Sequence, residues 1–448
     1  MSMLKPTNQA VDLLVDASMA LAQVESNGIR IDTDRLKEVK IELGDEISKL
    51  EKRLYRSKWW SIWEKEYKAS ANLRSNDQLK TLLFDKLGYK PQNFTATGRP
   101  SVSSADLENI NHPFIAKYRA LKKLMKIRDT YISALEREVV DGYLHPVFNL
   151  HNIDTFRSSS SNPNFQNVPV RDKQTSKYIR SLFIPRPNHL LLEIDYSAVE
   201  VRVAACYHKD PAMLSYIREG KDLHADMAIE CYKLQPEQLS KAARVSAKGG
   251  FVFPAFYGSY YQQIAPAMWE TISTDDIRTQ QDVPMREHLK SVGIRNLSDF
   301  TQHIRQVEND FWNIRFPVYD QWKKDLWEKY QKTGELMMLS GFPYRGDRKR
   351  NECINAPVQG AAFHCLLWSL MKLQQWLNEA GMKSLIIGQI HDSIVWDVHE
   401  DELDLVLKKA KEVMTKDVVD HYKWLIVPLD IEAEGSRKNW YEKEEIEI

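Results

Sequence analysis

The spacing of hydrophobic positions separates long helical stretches from two short strand regions. Between 34 and 56, Leu36, Val39, Leu43, Ile47, Leu50 and Leu54 recur at steps of three and four with charges between them. That pattern predicts an amphipathic helix with one buried face. Asp32 stands where its N-cap belongs. Asp32-Thr33-Asp34 also has the D-x-D form of some metal–nucleotide sites, but its place before the helix favours the cap. Leu190 to Ile194 form a short apolar strand that stops at Asp195, and Ala198 to His208 read as a helix. A similar event recurs late in the chain. Ser384–Ile390 and Ile394–Val398 read as strands, so a hairpin through His391-Asp392-Ser393 puts Asp392 at its tip. The chain between is mainly helical, including a helix from Asn355 to Glu379 whose start Pro357 marks. Gln92–Ser104, with Gly98 and Pro100, reads as a loop.

Composition narrows the class. The chain has 448 residues, room for two to four domains or subdomains and for a core without disulfides. Gly 17 and Pro 18 together make about 8% of it, against ~12% on average, which fits long helices and excludes collagen-like or disordered chains. The 62 basic and 62 acidic residues cancel, which decides nothing, because a local basic face is what a polyanion meets. Lys117, Arg119, Lys122, Lys123, Lys126 and Arg128 crowd one helical segment and suit either a solvated face or a phosphate backbone. Cys206, Cys231, Cys353 and Cys365 have neither C-x-x-C nor zinc spacing and read as reduced cytosolic thiols. No signal pattern opens the chain, and no apolar run nears the ~18 residues of a membrane span. A cytoplasmic protein without a membrane partner is expected.

Two aspartates, each delivered to a strand end, are what a two-metal phosphoryl-transfer site needs. Two Mg²⁺ ions ~4 Å apart require hard oxygen ligands on rigid elements. Between them in sequence lies Lys241 to Gly258, where Arg244 and Lys248, four apart, share one helix face suited to a triphosphate. Phe253 and Tyr257, also four apart, offer an aromatic platform for a base. An amphipathic helix with a solvated basic edge and a buried aromatic edge is the plainer alternative.

Asp195-Tyr-Ser-Ala-Val-Glu-Val-Arg202 resembles motif A of family A DNA polymerases, the group of bacterial DNA polymerase I and many phage replicases. Arg244-x3-Lys248 through Tyr257-Gly258 resembles motif B, and Gln389-Ile-His-Asp392 resembles motif C. Thr155-Phe-Arg157, Pro163-Asn-Phe-Gln-Asn167, Gly220-Lys-Asp-Leu-His224 and Ile354-Asn-Ala-Pro-Val-Gln-Gly360 match flanking signatures in order. Asn72 to Leu79 resembles part of the thumb, and the likeness runs from Asp12 to Trp440.

The resemblance implies an α+β right-hand fold with an antiparallel palm sheet and helical thumb and fingers. Palm would begin over 1–30, with thumb at 31–135, palm with motif A at 136–205, fingers with motif B at 206–350 and palm with motif C at 351–448. The implied activity is DNA-templated extension of a primer with dNTPs. Asp195 and Asp392 would hold two Mg²⁺ ions, the Tyr196 carbonyl assisting. Arg244, Lys248 and His224 would bind the triphosphate, with Lys248 as general acid. Glu200 would exclude a ribose 2′-OH, Phe253 would meet the sugar and Tyr257 the templating base. Arg157, Gln166, Asn355, Gln359 and His391 would contact DNA.

Four departures from the family pattern stand out. Ala198 replaces a usual glutamine, Ser393 replaces a common glutamate, and Asn351 stands where an arginine is familiar. Motif B carries one extra residue between Lys248 and Phe253. An ungapped alignment nominates Val252 and Phe256 instead, while the gapped one predicts a bulge or kink within 248–254. The stretch 268–305 is longer than its bacterial counterpart, without an assigned function. The length taken by palm and thumb leaves no room for a proofreading exonuclease domain, so proofreading and processivity factors are expected to be separate. A single-subunit RNA polymerase or an inactive DNA-binding relative are the alternatives; Glu200 weighs against the first and the intact aspartates against the second.

Overall fold

Apolar alternation builds a five-stranded antiparallel sheet in which the sequence order is shuffled. The strands are β1 (His189–Tyr196), β2 (Leu385–Ile390), β3 (Ser393–His399), β4 (Ile431–Ser436) and β5 (Glu444–Ile446). Their spatial order is β5-β4-β1-β3-β2. Along β1, Leu190, Leu192, Ile194 and Tyr196 are buried on one face, and register sets them beside Ile394, Trp396, Ala433 and Ile431. Glu193 and Asp195 point to the other face, as the period of two requires. The computed structural model describes residues 3–95, 97–170 and 172–448.

Helices cover the apolar face. Helix α1 (Asn8–Asn27) and the 30-residue α2 (Arg350–Glu379) pack on each other and on the β2–β3 hairpin. The expected 34–56 helix spans Thr33–Tyr55, with the Asp32 carboxylate accepting the Arg35 N–H at 2.9 Å. It buries Leu36, Val39, Leu43, Ile47 and Leu54 against the helix Pro113–Lys126. A buried leucine or isoleucine contributes about 1.5–3 kcal/mol, so this face outweighs the charged one. Gln92–Ser104 is irregular up to the last residue, with a lone bridge between Phe94 and Pro100; Ala96 within it lies outside the described residues. Within the basic segment, Lys123 pairs with Asp172 at 2.7 Å and Arg119 with Glu108 at 3.1 Å, while Lys117 and Lys126 are exposed.

Three local differences from the sequence reading have physical causes. Strand β1 continues through Asp195 to Tyr196, because the Tyr196 N–H donates to the Asp392 carbonyl at 3.2 Å. The next helix starts at Val199, since Ala198 adopts a left-handed φ of 51° and turns the chain. Helix α2 starts at Arg350, and Pro357 lies inside it. The Lys349 N–H donates to Glu352 at 3.0 Å to begin α2 early. Burial of Cys353 and Ile354 then holds the helix through a proline that leaves the Cys353 carbonyl without its helical donor. All four cysteines are free and buried. Among the described residues no helix is long and apolar enough to cross a membrane.

Candidate active site

Asp195 and Asp392 meet because β1 and β3 are neighbours: Asp195 pairs in register with Ser393, and His391-Asp392 forms the two-residue turn between β2 and β3. His391 takes a left-handed φ of 51° there. Burial raises the Asp195 carboxyl, and the charges of Asp392 and Glu193 raise it further. Asp392 is also raised by burial, against the opposing influence of His391 and Arg157. Oδ1 of Asp195 is buried without a hydrogen-bond partner. An orphaned carboxylate oxygen beside a second acid is the donor set of a hard divalent cation. Among the described residues no third His, Cys, Asp or Glu side chain completes a metal-holding group.

The basic helix is distorted where the sequence has its surplus residue. It runs α-helical over Lys241–Ala247, π-helical over Lys248–Val252 and α-helical again over Phe253–Phe256. The Phe253 N–H donates to the Lys248 carbonyl five residues back. Lys248 and Phe253 therefore face together, with Nζ 5.3 Å from the ring centroid. The His224 ring meets Phe253 edge-on at 5.7 Å. Phe253 is 37% exposed, whereas Val252 is fully buried. Phe256 also reaches the cleft wall, but its ring packs on Phe311 and Tyr319. Arg244 Nε donates to Asp222 Oδ2 at 2.5 Å. Burial, Lys248 and Arg244 together push the His224 imidazole down to about 4, so it is neutral at neutral pH.

One cleft is lined by Arg157, Glu200, Phe253, Tyr257, Asn355, Gln359, His391 and Asp392. Across it the Tyr257 hydroxyl donates to Glu200, and Arg157 Nη1 lies 3.9 Å from the same carboxylate. Burial first, then the Glu200 carboxylate, holds the Tyr257 phenol well above its ordinary range. Asn355 Nδ2 donates to the Tyr257 carbonyl and Asn351 Nδ2 to that of Gly258, both at 3.3 Å. Gly258 has φ +87°, and a Cβ there would lie 2.6 Å from the Asn351 side chain. Tyr196 turns its side chain away, its hydroxyl bonded to Ser369 at 3.0 Å.

Gln166 stands apart from the cleft lining. Its Nε2 donates to Gln389 Oε1 at 2.6 Å and to Ser158 Oγ at 2.7 Å, while Gln389 Nε2 holds the His391 carbonyl at 2.8 Å. Sequence reasoning missed this buttress and missed Asp222. The N-cap position of Asp222 before the helix Leu223–Tyr232 was the available signal.

Comparisons with known proteins bear on the family and the fold. The sequence profile of DNA polymerase family A matches residues 33–279 and 338–442. The DNA polymerase of Bacillus phage SP01 is 26% identical over 95% of this chain and 50% of its own. The thermostable DNA polymerase I of Thermus aquaticus is 29% identical over 96% and 48%. This chain thus spans about half the length of these relatives. Among solved structures, the POL domain of Pol1 from M. smegmatis, in complex with DNA primer-template and dNTP, superposes with a TM-score of 0.76. It is 22% identical, and the match covers 96% of this chain and 70% of that one. With the profile matched on both sides of a single gap, and both strand-end aspartates inside the matched spans, the chain belongs to DNA polymerase family A.

Proposed function

We propose that the chain is a DNA-templated DNA polymerase, in which a primer 3′-OH attacks the α-phosphate of a dNTP and pyrophosphate leaves. The observation that carries this reading is the pair Asp195–Asp392, raised by burial and carrying an orphaned oxygen, at the edge of a cleft walled by the distorted basic helix. Two Mg²⁺ ions held there, with the Tyr196 carbonyl assisting, would activate the attacking hydroxyl and neutralise the leaving phosphates.

The chain's own residues do the rest. Lys248 and Arg244 bind the triphosphate, and neutral His224 can donate one N–H to it. Lys248 then gives a proton to the departing pyrophosphate oxygen. Glu200, held by Tyr257 and facing Arg157, fills the space a 2′-OH needs. Phe253 supports the sugar and Tyr257 the templating position. Arg157 and Gln359 reach minor-groove acceptors that every correct pair presents in similar places. Asn355 and His391 hold template and primer end, and Gln166 acts through Gln389 to fix the His391 backbone. In this reading 31–135 is the thumb, 206–350 the fingers, and the segments carrying the sheet form the palm.

Primer extension tests the proposal directly. With Mg²⁺ and a primed template, dNTPs should extend the primer base by base while NTPs should not. Equal use of NTPs, or no extension with either, overturns it.

A further inference from the structure

Asp222 spends its two carboxylate oxygens on two different elements. Oδ1 accepts the Ala225 N–H at 3.0 Å and caps the helix Leu223–Tyr232. Oδ2 accepts the Arg244 Nε–H at 2.5 Å. Only the Nε edge of the guanidinium is engaged. The terminal nitrogens of Arg244 make no hydrogen bond, and Asp222 is its one ion-pair partner, among the described residues; those nitrogens are the fork that reads phosphate.

The helix that bears Asp222 is itself anchored at its far end. His288 Nε2 bonds the carbonyls of Tyr232 and Lys233, each at 3.1 Å, and His303 Nε2 bonds that of Glu230 at 2.9 Å. Arg315 pairs with Asp226 and Glu230 on the same helix. These three residues come from 280–337, the span the family profile skips. Asp222 is therefore a fixed post and not a mobile counter-ion.

By charge alone, a carboxylate beside a polyphosphate site weakens anion binding. We infer that Asp222 does the reverse: it is a positioning residue that aims the free fork of Arg244 at the phosphates and so tightens nucleotide binding. Arg244 is 39% exposed on a flexible stem, and a pre-oriented guanidinium loses less rotamer freedom when a ligand arrives. The inference rests on the proposed role of Arg244 in triphosphate binding.

Asp222→Asn separates the two functions of the carboxylate. Asparagine caps a helix as well as aspartate does, but with its one oxygen on the Ala225 N–H it turns toward the Arg244 Nε–H an NH₂ group, which cannot accept. With the protein on a dideoxy-terminated primer–template, dNTP Kd should rise about tenfold, the upper cost of ordering one long side chain on binding. Primer–template Kd and the extension rate at saturating dNTP should change little. Arg244→Lys leaves the cap intact and should reproduce the loss, and Asp222→Asn should add nothing in an Arg244→Ala background. Unchanged or tighter dNTP binding by Asp222→Asn, or an equal effect without Arg244, overturns the inference alone. If Arg244→Ala itself leaves dNTP affinity intact, the triphosphate reading fails and this inference falls with it.

Discussion

Asp195 is held in a state that isolation makes costly: buried, facing Asp392, with one oxygen unsatisfied. Without a cation, charged carboxylates there work against folding at neutral pH, because folding raises both groups above their ordinary values. Asp195→Asn keeps the shape and removes a charge. Its metal-free Tm should rise by about 1 °C, the shift expected for roughly 1 kcal/mol in a chain of this length. The Tm increase caused by Mg²⁺ should shrink and primer extension should fall by ~10³-fold or more. Differential scanning calorimetry with and without Mg²⁺ checks this, and an unaltered Mg²⁺ shift removes Asp195 from the metal-holding set. Asp195 and Asp392 were legible in the sequence because each ends an apolar run. Asp222 was not, and Gln166 was read only as a DNA contact, because their bonds run to partners, Arg244 and Gln389, that are distant in sequence.

At the scale of elements, the motif B helix was readable in detail. Lys248 and Phe253 are five apart, two glycines follow the lysine, and Pro254 lacks an N–H; the π-helical turn falls at Lys248–Val252 as the surplus residue requires. The start of α2 was not readable, because capping by Glu352 and burial of Cys353 and Ile354 override the signal of Pro357. The bulge makes a prediction about length. A Cβ on Gly249 would touch nothing within 4 Å, so this position packs against nothing. Deleting Gly249 turns the five-residue step into a regular i, i+4 step and keeps Lys248 facing Phe253. Deleting Val245, itself 54% exposed, instead rotates Arg244 by about 100° relative to Lys248. The Gly249 deletion should keep measurable extension and a near-normal Tm, while the Val245 deletion should lose extension. Equal damage from both contradicts this account of the helix.

Across the whole molecule, buried histidines set the response to acid. Burial pushes His208 and His364 down to about 3. An unfolded histidine takes its proton near 6.5, and these two in the fold do not until far lower pH. Stability therefore falls as pH drops from about 6.5 toward 3, by up to ~1.4 kcal/mol per pH unit for each group. The raised Asp195 and Asp392 oppose this trend, so the measurement belongs in Mg²⁺, which holds both as carboxylates. Tm followed from pH 7 to 5 should decline, and His364→Gln should flatten the decline. A flat wild-type profile counts against buried neutral histidines. At this scale three strands of the sheet and its two aspartates could be read from apolar runs, while β4 and β5 could not. The span 280–337 could not, since its contribution is a set of side chains bonded to the carbonyls and carboxylates of one helix.

The strand order has a consequence for how the chain is made. β1 is synthesised with neither neighbour in existence: both its edges stay open until β3 (Ser393–His399) is made, and the β4 edge stays open while 240 further residues, Ser197 to Ser436, are added. At ~5–20 residues per second that interval is roughly 10–50 s. Open apolar edges are templates for pairing with other chains. Ribosome-bound intermediates of this protein should therefore depend on chaperone cover until β4 emerges. A chain stopped at Val427, lacking β4, should collect in the insoluble fraction when expressed, even though both aspartates are present in it.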